Sequence, residues 1–245
     1  MPRFFSAGGT VAGGVAFITG EDAAHARVLR LRVGDTLIVC DGTGRDHRCR
    51  VTKMSQDGLE AEVLETVASA AEPDLRVTVL AGFPKGERAD YIVQKCTELG
   101  AAEIVFFLCE RCVARPDTAA VGRKVTRFQR IAEAAAKQAG RGAVPIVRAV
   151  EDLGAALDIA AKAQLALFMY ETGERLPLRA AIEGAGDIRT AAIVTGPEGG
   201  FEEYEAQLAG YAGLTRCSMG PRILRCETAP IAALAALLYA TGNMD

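Results

Sequence analysis

Residues 191–201 read Ala-Ala-Ile-Val-Thr-Gly-Pro-Glu-Gly-Gly-Phe and give the clearest indication of the fold. An apolar run of strand length ends at Thr195, and a glycine-rich loop then leads into residues 202–210, which are predicted to be a helix. A strand that passes into a helix in this way is typical of α/β proteins. In open α/β sheets, ligands bind beyond the carboxyl ends of the strands, so this loop is a candidate binding site.

The same alternation of strands and helices extends over the chain from residue 76 onwards. Strands are predicted at 76–81, 103–109, 164–170, 191–195 and 214–219, and helices at 87–99, 124–139, 153–162, 202–210 and 227–241. This alternation indicates a mainly parallel sheet that helices cover on both faces.

The amino-terminal residues show a different pattern, in which glycine and aspartate turns separate short apolar runs. The runs are 15–18, 37–40, 49–51 and 59–64, which together predict a small β domain. Residues 68–74 are small and polar, contain Pro73, and are predicted to form a linker. The predicted domains are therefore residues 1–70 and 75–245.

The composition of the 245 residues is that of a globular protein, with 50% hydrophobic and 24% charged residues. No apolar run is long enough for a membrane helix, which predicts a soluble, cytoplasmic protein. The seven cysteines are an odd, scattered set and favour reduced, buried thiols. Cys109 and Cys112 have the spacing of half a zinc site, but no second pair follows, so no metal is expected.

The net charge of −3 does not suggest a nucleic-acid-binding protein, but the charge is unevenly distributed. Residues 1–53 carry eight basic and five acidic side chains, so the amino-terminal part is basic within an acidic protein. Two interpretations are equally compatible with this pattern, a solvated surface and an RNA contact.

The glycine loop itself also has two interpretations. Its glycines would let a ligand approach the backbone closely, but they would equally suit a tight turn between strand and helix. The loop has neither the spacing of a dinucleotide fingerprint nor the Lys-Ser/Thr of a P-loop. Hydride transfer and nucleotide hydrolysis therefore lack their usual sequence support.

Residues 218–229 form a second candidate loop and read Ser-Met-Gly-Pro-Arg-Ile-Leu-Arg-Cys-Glu-Thr-Ala. Arg222 and Arg225 bracket Ile223 and Leu224, a combination that can line an apolar pocket while offering positive charge to phosphate. Glu227 has two possible roles, in catalysis or in capping the final helix, whose positive end it would complement.

Two further segments are ambiguous. Residues 85–90 open the first helix of the second domain, where backbone amides can bind an anion or be capped by the acidic pair. Gln138, Arg141 and Pro145 can reach a nucleic-acid backbone or form an ordinary helix end.

Taken together, these segments resemble one family, the bacterial small-subunit ribosomal RNA methyltransferase E family of the SPOUT class. The ordered set of matching stretches spans nearly the whole chain: Pro2-Arg3-Phe4-Phe5, 25–30, 85–88, 94–100, 110–112, 133–138 with Arg141, 196–200, 220–225 and Glu227-Thr228. Two positions depart from the usual pattern: Cys226 stands where threonine is expected, and Pro230 follows Thr228-Ala229 where a second threonine is common. Both changes are expected to lie beside the cofactor and to affect its affinity.

The resemblance implies an amino-terminal PUA-like β-barrel and an α/β domain with a carboxy-terminal trefoil knot. It also implies methylation of N3 of uridine 1498 in 16S ribosomal RNA, S-adenosylmethionine as the methyl donor, and a homodimer. The substrate is naked 16S ribosomal RNA or the assembled small subunit, and the sequence leaves this choice open.

On this interpretation the residues of the two loops bind the cofactor, and the basic residues bind RNA. Catalytic roles are predicted for Arg225, which can stabilise charge on the uracil carbonyl oxygens, and for Glu198 and Glu227 as candidate bases. The predicted cofactor-binding residues are Thr195, Gly196, Pro197, Glu198, Gly199, Gly200, Met219, Gly220, Ile223, Leu224, Arg225, Thr228 and Ala229. The predicted RNA-binding residues are Arg3, Arg27, Arg30, Arg32, Arg141 and Arg222, because positive side chains must converge to hold a polyanion when the net charge is negative.

Two other functions remain as alternatives. A non-catalytic RNA-binding protein with the same fold would not bind S-adenosylmethionine. A small-molecule transferase that uses the glycine loop for a phosphate would retain its turnover without residues 1–68, whereas RNA methylation would be lost.

Overall fold

The computed structural model describes residues 1–5 and 11–244 and divides into two compact units. The amino-terminal unit contains Met1–Glu72 together with Ala136–Val144, and the carboxy-terminal unit contains Pro73–Ala135 and Pro145–Asp245. The sequence pattern does not predict that residues 136–144 belong with the amino-terminal residues.

In its described residues, the amino-terminal unit has a six-stranded sheet and a helix; the first and fourth strands pair in parallel, and the other named strand pairs are antiparallel. All four predicted apolar runs lie in strands, which confirms the prediction of a β domain. The elements are β1 (Arg3–Phe5), β2 (Val11–Ala12), β3 (Val15–Thr19), α1 (Gly20–Val28), β4 (Thr36–Cys40), β5 (Arg45–Met54) and β6 (Gly58–Ala68), and the sheet order is β1-β4-β5-β6-β3-β2.

Helix α1 was not predicted, because its sequence carries almost no apolar stripe. Only Ala23 and Ala26 are buried in it, and two alanines do not produce a detectable helical period. The core of the unit comes instead from alternate residues of the strands, including Phe4, Leu37 and Val39, all fully buried.

Residues 136–144 are held in the amino-terminal unit by backbone and side-chain contacts. The backbone N–H of Gly44 donates to the carbonyl of Gly142 at 3.0 Å. A Cβ at Gly142 would lie 2.2 Å from the Cβ of Ser69, so only glycine allows this approach.

A buried ion pair completes this attachment. The guanidinium of Arg141, only 3% exposed, donates to Glu72 at 2.6 and 3.2 Å. The same carboxylate accepts from the backbone N–H groups of Gly142 and Ala143 at 2.9 and 3.0 Å. Glu72 therefore anchors the segment through charge and backbone together.

Replacing Glu72 with alanine is expected to lower the free energy of unfolding by about 3 kcal/mol, because a buried guanidinium would lose its carboxylate. Urea unfolding followed by circular dichroism measures the change. Glu65→Ala, at an exposed position of β6, serves as the control and should change the free energy of unfolding by less than about 0.5 kcal/mol. Equal stability of the two variants would contradict the anchoring role of Glu72.

The carboxy-terminal unit is a seven-stranded sheet in which every pairing is parallel, with helices from the intervening connections. This confirms the α/β fold that the alternating pattern predicts. The elements are β7 (Arg76–Gly82), α2 (Arg88–Leu99), β8 (Glu103–Phe107), α3 (Thr118–Gln138), β9 (Ile146–Ala149), α4 (Leu153–Ala160), β10 (Leu165–Met169), β11 (Leu176–Pro177), α5 (Leu178–Ala185), β12 (Thr190–Thr195), α6 (Glu203–Tyr211), β13 (Thr215–Ser218) and α7 (Thr228–Ala240).

Four elements of this unit differ from the prediction. Strands β9 and β11 and helix α5 were not predicted, since each is short, and β9 lies at the sheet edge with Ile146 exposed. Helix α3 begins at Thr118 rather than 124, because its first turns carry no apolar stripe. The side chain of Asp117 accepts from the N–H of Ala120 at 2.7 Å and supports that earlier start.

The sheet order β11-β13-β10-β12-β7-β8-β9 brings the two candidate loops together. Strands β13, β10, β12 and β7 are neighbours and parallel, so the loops at their carboxyl ends lie at one edge of the sheet. None of the described helices combines the length and the apolar character needed to cross a membrane.

Candidate active site

The loops at the carboxyl ends of the parallel strands line a cavity of about 300 Å³ in the carboxy-terminal unit. We call residues 196–202 the β12 loop and residues 219–227 the β13 loop. Eleven of the predicted cofactor-binding residues line the cavity: Thr195, Gly196, Pro197, Glu198, Gly200, Met219, Gly220, Ile223, Leu224, Arg225 and Ala229. Glu227 and Arg222 line it as well.

Two predicted cofactor-binding residues lie elsewhere. The carbonyl of Gly199 accepts from Arg111 at 3.0 Å, and a Cβ on Gly199 would lie 2.8 Å from the Cβ of Arg111, so Gly199 faces away from the cavity. Thr228, the first residue of α7, lines a separate cavity formed with α5. Neither residue contributes to the walls of the site.

The β12 loop is anchored to the protein at its end. The ring of Phe201 is 3% exposed and packs on Phe168, with 4.3 Å between ring centroids. The guanidinium of Arg111 donates to both carboxylate oxygens of Glu202 at 2.7 and 2.8 Å. These contacts hold the loop backbone in place before any ligand arrives.

Two glycines in and beside the β12 loop are required by the backbone, Gly200 by its positive φ and Gly82 by a close approach. Gly200 has φ +68°, and a Cβ there would lie 2.5 Å from Oε1 of Glu171. A Cβ at Gly82, the last residue of β7, would lie 2.6 Å from Cδ of Pro197 and 2.8 Å from its nitrogen. Sequence analysis missed Gly82, although its position at a strand's carboxyl end could have drawn attention to it.

Arg88 joins the carboxylates of both loops. It donates to Glu198, and its Nε lies 3.5 Å from Oε2 of Glu227. The backbone N–H of Lys85 also donates to Glu198 at 2.8 Å. Burial works against ionisation of Glu198, but these hydrogen bonds and the charge of Arg88 outweigh it and lower the pKa of Glu198 below its ordinary value.

The side chain of Glu227 does not cap helix α7, although capping was one of the two roles considered for it. The residue occupies the N-cap position but its carboxylate makes no cap hydrogen bond. It accepts instead from the thiol of Cys226 at 3.2 Å and faces Arg88. Glu227 therefore contributes charge to the cavity.

The two departures from the family pattern have different positions. Cys226 lines the cavity, and burial raises the pKa of its thiol to about 12, so the thiol stays protonated. Pro230 is buried in the first turn of α7 and does not line the cavity. Of these two residues, only Cys226 can contact a cofactor bound in the cavity.

Arg222 and Arg225 are exposed at the cavity, and no carboxylate in the described part of the chain forms an ion pair with either. Ile223, which lies between them, is 84% exposed, so it forms a rim rather than the apolar wall that its sequence suggests. Met219 and Leu224 are partly buried and supply that wall.

Other cavity residues were missed by sequence analysis. Arg88 was noted only as part of residues 85–90. Its contacts with Glu198 and Glu227 join residues that are distant in sequence, so no local pattern predicts them. Met169, Tyr170 and Glu171 line the cavity at the end of β10. Their position at a strand's carboxyl end is the one signal by which they could have been found.

The predicted RNA-binding residues of the amino-terminal unit fall into two groups. Arg3 donates to both oxygens of Asp46 at 2.8 Å, and Arg141 is buried against Glu72. Neither guanidinium is placed to hold a phosphate, which corrects the expectation for both residues. Arg27, Arg30 and Arg32 are exposed around the end of α1.

Cys109 and Cys112 are both buried, with 3.5 Å between their sulfur atoms. The hydrogen bond from Cys109 lowers the pKa of the Cys112 thiol below its ordinary value. Among the described residues no group of three or more histidine, cysteine or acidic side chains could hold a metal ion.

The residues that line the cavity fit S-adenosylmethionine in their chemistry. A Cβ on Gly196 would lie 3.1 Å from the backbone of Gly200, so glycine lets the loop that lines the cavity turn tightly. Met219 and Leu224 offer apolar contact, and Glu171, Glu198 and Glu227 offer negative charge to a sulfonium.

Comparisons with known proteins agree with this geometry. Residues 71–238 match the family model of an RNA methyltransferase domain, and residues 18–64 match that of an RNA methyltransferase PUA domain. The ribosomal RNA small subunit methyltransferase E of Bacillus subtilis is 35% identical over 230 residues, which cover 91% of this chain and 90% of the relative. The enzyme of the same name from Mycobacterium bovis is 34% identical over 95% of this chain and 89% of the relative.

A solved structure is also similar over nearly the whole chain. The ribosomal RNA small subunit methyltransferase E from Neisseria gonorrhoeae, bound to S-adenosylmethionine, superposes with a TM-score of 0.77 at 32% identity. The match covers 98% of this chain and 97% of that one. The chain belongs to the ribosomal RNA small subunit methyltransferase E family, as its ordered motifs predicted.

Proposed function

We propose that this protein methylates N3 of uridine 1498 in 16S ribosomal RNA, with S-adenosylmethionine as donor, in the cytoplasm. The observation that carries the proposal is the cavity in which a glycine-rich loop, an apolar wall and two arginines without a carboxylate partner among the described residues meet at the edge of a parallel sheet. The relatives named ribosomal RNA small subunit methyltransferase E, and the related structure bound to S-adenosylmethionine, support it.

When bound, S-adenosylmethionine supplies an already activated methyl group, so the protein needs no covalent nucleophile of its own. The chain must hold the acceptor base in line with the methyl group and help to remove the N3 proton. We assign Arg225 to stabilise negative charge on the uracil oxygens, because its guanidinium has no carboxylate partner among the described residues.

Of the two predicted bases, Glu227 is the better candidate. Glu198 is held by the N–H of Lys85 and by Arg88, and its lowered pKa makes it a weak proton acceptor. Glu227 lies farther from Arg88, at 3.5 Å, and lines the cavity. We assign Glu198 to positioning the β12 loop and Glu227 to accepting the proton.

Each predicted domain has a role in the proposal. Residues 1–70 form an RNA-binding domain that contacts phosphates through Arg27, Arg30 and Arg32, and residues 75–245 form the catalytic domain, with Arg222 near the target. Residues 6–10 and 245 of these ranges lie outside the described residues. The trefoil knot stays a prediction.

The test of the function is a map of methylated uridines in ribosomal RNA from cells with and without this protein. The expected result is that a methyl group on N3 of uridine 1498 is lost with the gene and returns with the wild-type chain. An unchanged map would refute the proposal.

The protein is further expected to be a homodimer, paired through α5 and α7. Leu178 and Ile182 of α5 and Ala232, Ala236 and Tyr239 of α7 line one open cavity, and Tyr239 is 73% exposed. Two-fold symmetric pairing is also the commonest form of homo-oligomer. Light scattering should give twice the 25.8 kDa mass of the chain, and a monomer would contradict the pairing.

A further inference from the structure

A groove outside the cofactor cavity runs along the start of α2 in the carboxy-terminal unit. Lys85, Tyr91, Gln94 and Ile131 are among its lining residues. Arg88 and Glu227 line both the groove and the cofactor cavity. The two spaces therefore share a wall, and an extended ligand in the groove would reach the cofactor cavity.

A basic stripe on α3 borders this groove. Arg123, Arg127 and Arg130 are exposed and lie at helical spacing on one face, and we call them the α3 stripe. Arg127 pairs with Asp90, and Ile131, one turn further along, lines the groove itself. The stripe thus lies at the margin of the groove.

The positive charge beside the groove that has no carboxylate partner lies on the α3 stripe. Of the three carboxylates that line the groove, Asp90 and Glu227 face Arg127 and Arg88, and Glu87 is exposed. No acidic residue occurs between Asp117 and Glu133. In the described part of the chain, neither Arg123 nor Arg130 has a carboxylate within ion-pair distance.

Tyr91 adds an aromatic surface beside this charge. It is 48% exposed although it lines the groove, and Nζ of Lys95 lies 6.0 Å from its ring centroid. Gln94 lies one turn after Tyr91 on α2 and is exposed in the same groove, where its amide can both donate and accept. An exposed ring, an amide and nearby cations are what proteins use to hold unpaired nucleotides.

We infer that the groove and the α3 stripe bind the single-stranded RNA next to the target uridine, with a base stacked on Tyr91 and phosphates on Arg123 and Arg130. The inference rests on the proposed function and adds to it a docking surface for the substrate. RNA fits better than a protein partner, because the surface offers unpaired cations around one aromatic ring rather than a continuous apolar patch.

Binding of fluorescent 16S ribosomal RNA, both naked and as small subunits from cells that lack this protein, tests the inference. Tyr91→Ala is expected to weaken RNA binding about tenfold by loss of base stacking, whereas Tyr91→Phe keeps the ring and should bind like the wild type. The Arg123→Ala, Arg130→Ala double variant should lower the salt dependence of log K by about 1.4, since each single-strand phosphate contact contributes about 0.7.

The matched control is the Arg76→Ala, Lys162→Ala double variant, which removes the same charge from exposed positions away from the groove. It should bind RNA with the wild-type salt dependence. The inference is overturned if the stripe variant and Tyr91→Ala both behave like this control, or if Tyr91→Phe loses as much affinity as Tyr91→Ala.

Calorimetry with S-adenosylmethionine separates failure of the groove from failure of the proposed function. All groove variants should keep wild-type cofactor affinity. If the wild-type chain itself neither binds S-adenosylmethionine nor methylates either RNA, the proposed function fails and the inference falls with it. If the wild type does both while the variants match the control, only the docking surface is wrong.

Discussion

Adding one methyl group at Gly82 is expected to lower the affinity for S-adenosylmethionine by about five- to 150-fold, because an overpacked contact of this kind costs about 1–3 kcal/mol. The new Cβ would lie 2.6 Å from Cδ and 2.8 Å from the nitrogen of Pro197. Strand β7 and the proline ring are both stiff, so the β12 loop must move and its backbone can no longer line the cavity as it does now.

Calorimetry of Gly82→Ala with S-adenosylmethionine measures this effect, and Gly210→Ala is the matched control. Gly210 lies in α6, and a Cβ there meets nothing within 4 Å. The same methyl group should therefore leave cofactor affinity unchanged and slightly stabilise the helix. Wild-type affinity in Gly82→Ala would show that the β12 loop does not bind the cofactor.

Removing the guanidinium of Arg225 is expected to lower kcat by about 10²–10³ at saturating RNA and cofactor, the usual effect of losing one donor to a developing oxyanion. Arg225 is exposed at the cavity and forms no ion pair with any described residue, so its charge is available to the uracil oxygens. The loss should appear in kcat more than in KM, because the charge develops in the transition state.

Single-turnover methylation by Arg225→Gln measures this loss, and Arg225→Lys should recover part of the rate by restoring the charge. Arg216→Gln is the control, since Arg216 lies on β13 away from the cavity lining. A raised KM for RNA with an unchanged kcat would instead make Arg225 a phosphate contact.

Much of the fold could be predicted because its signals are local. Strands β7, β10 and β12 are each visible in the sequence as a mainly apolar run of consecutive residues. The family motifs also appear in order along the chain. Short elements such as β9 and α5 escaped prediction, since four to eight residues carry too little periodicity.

The candidate site was predictable in its loops but not in the roles of individual side chains. Eleven of the thirteen predicted cofactor-binding residues line the cavity, because parallel strands bring their carboxyl ends to one edge. Gly199 and Thr228 do not, since a loop residue's direction depends on partners such as Arg111 that are distant in sequence.

By itself, the sequence determined the family, the parallel α/β sheet, the amino-terminal β domain and the two loops that line the cavity, because composition, periodicity and motif order are properties of neighbouring residues. Only the tertiary structure decided which charges are free. The sequence predicted that Arg141 contacts RNA, but its guanidinium is bound by Glu72, which is 69 residues away. Helix capping was one possible role of Glu227, but its carboxylate makes no cap hydrogen bond and faces Arg88. The energy of a charged side chain depends on the partners and the burial that the fold provides, and no local pattern records either.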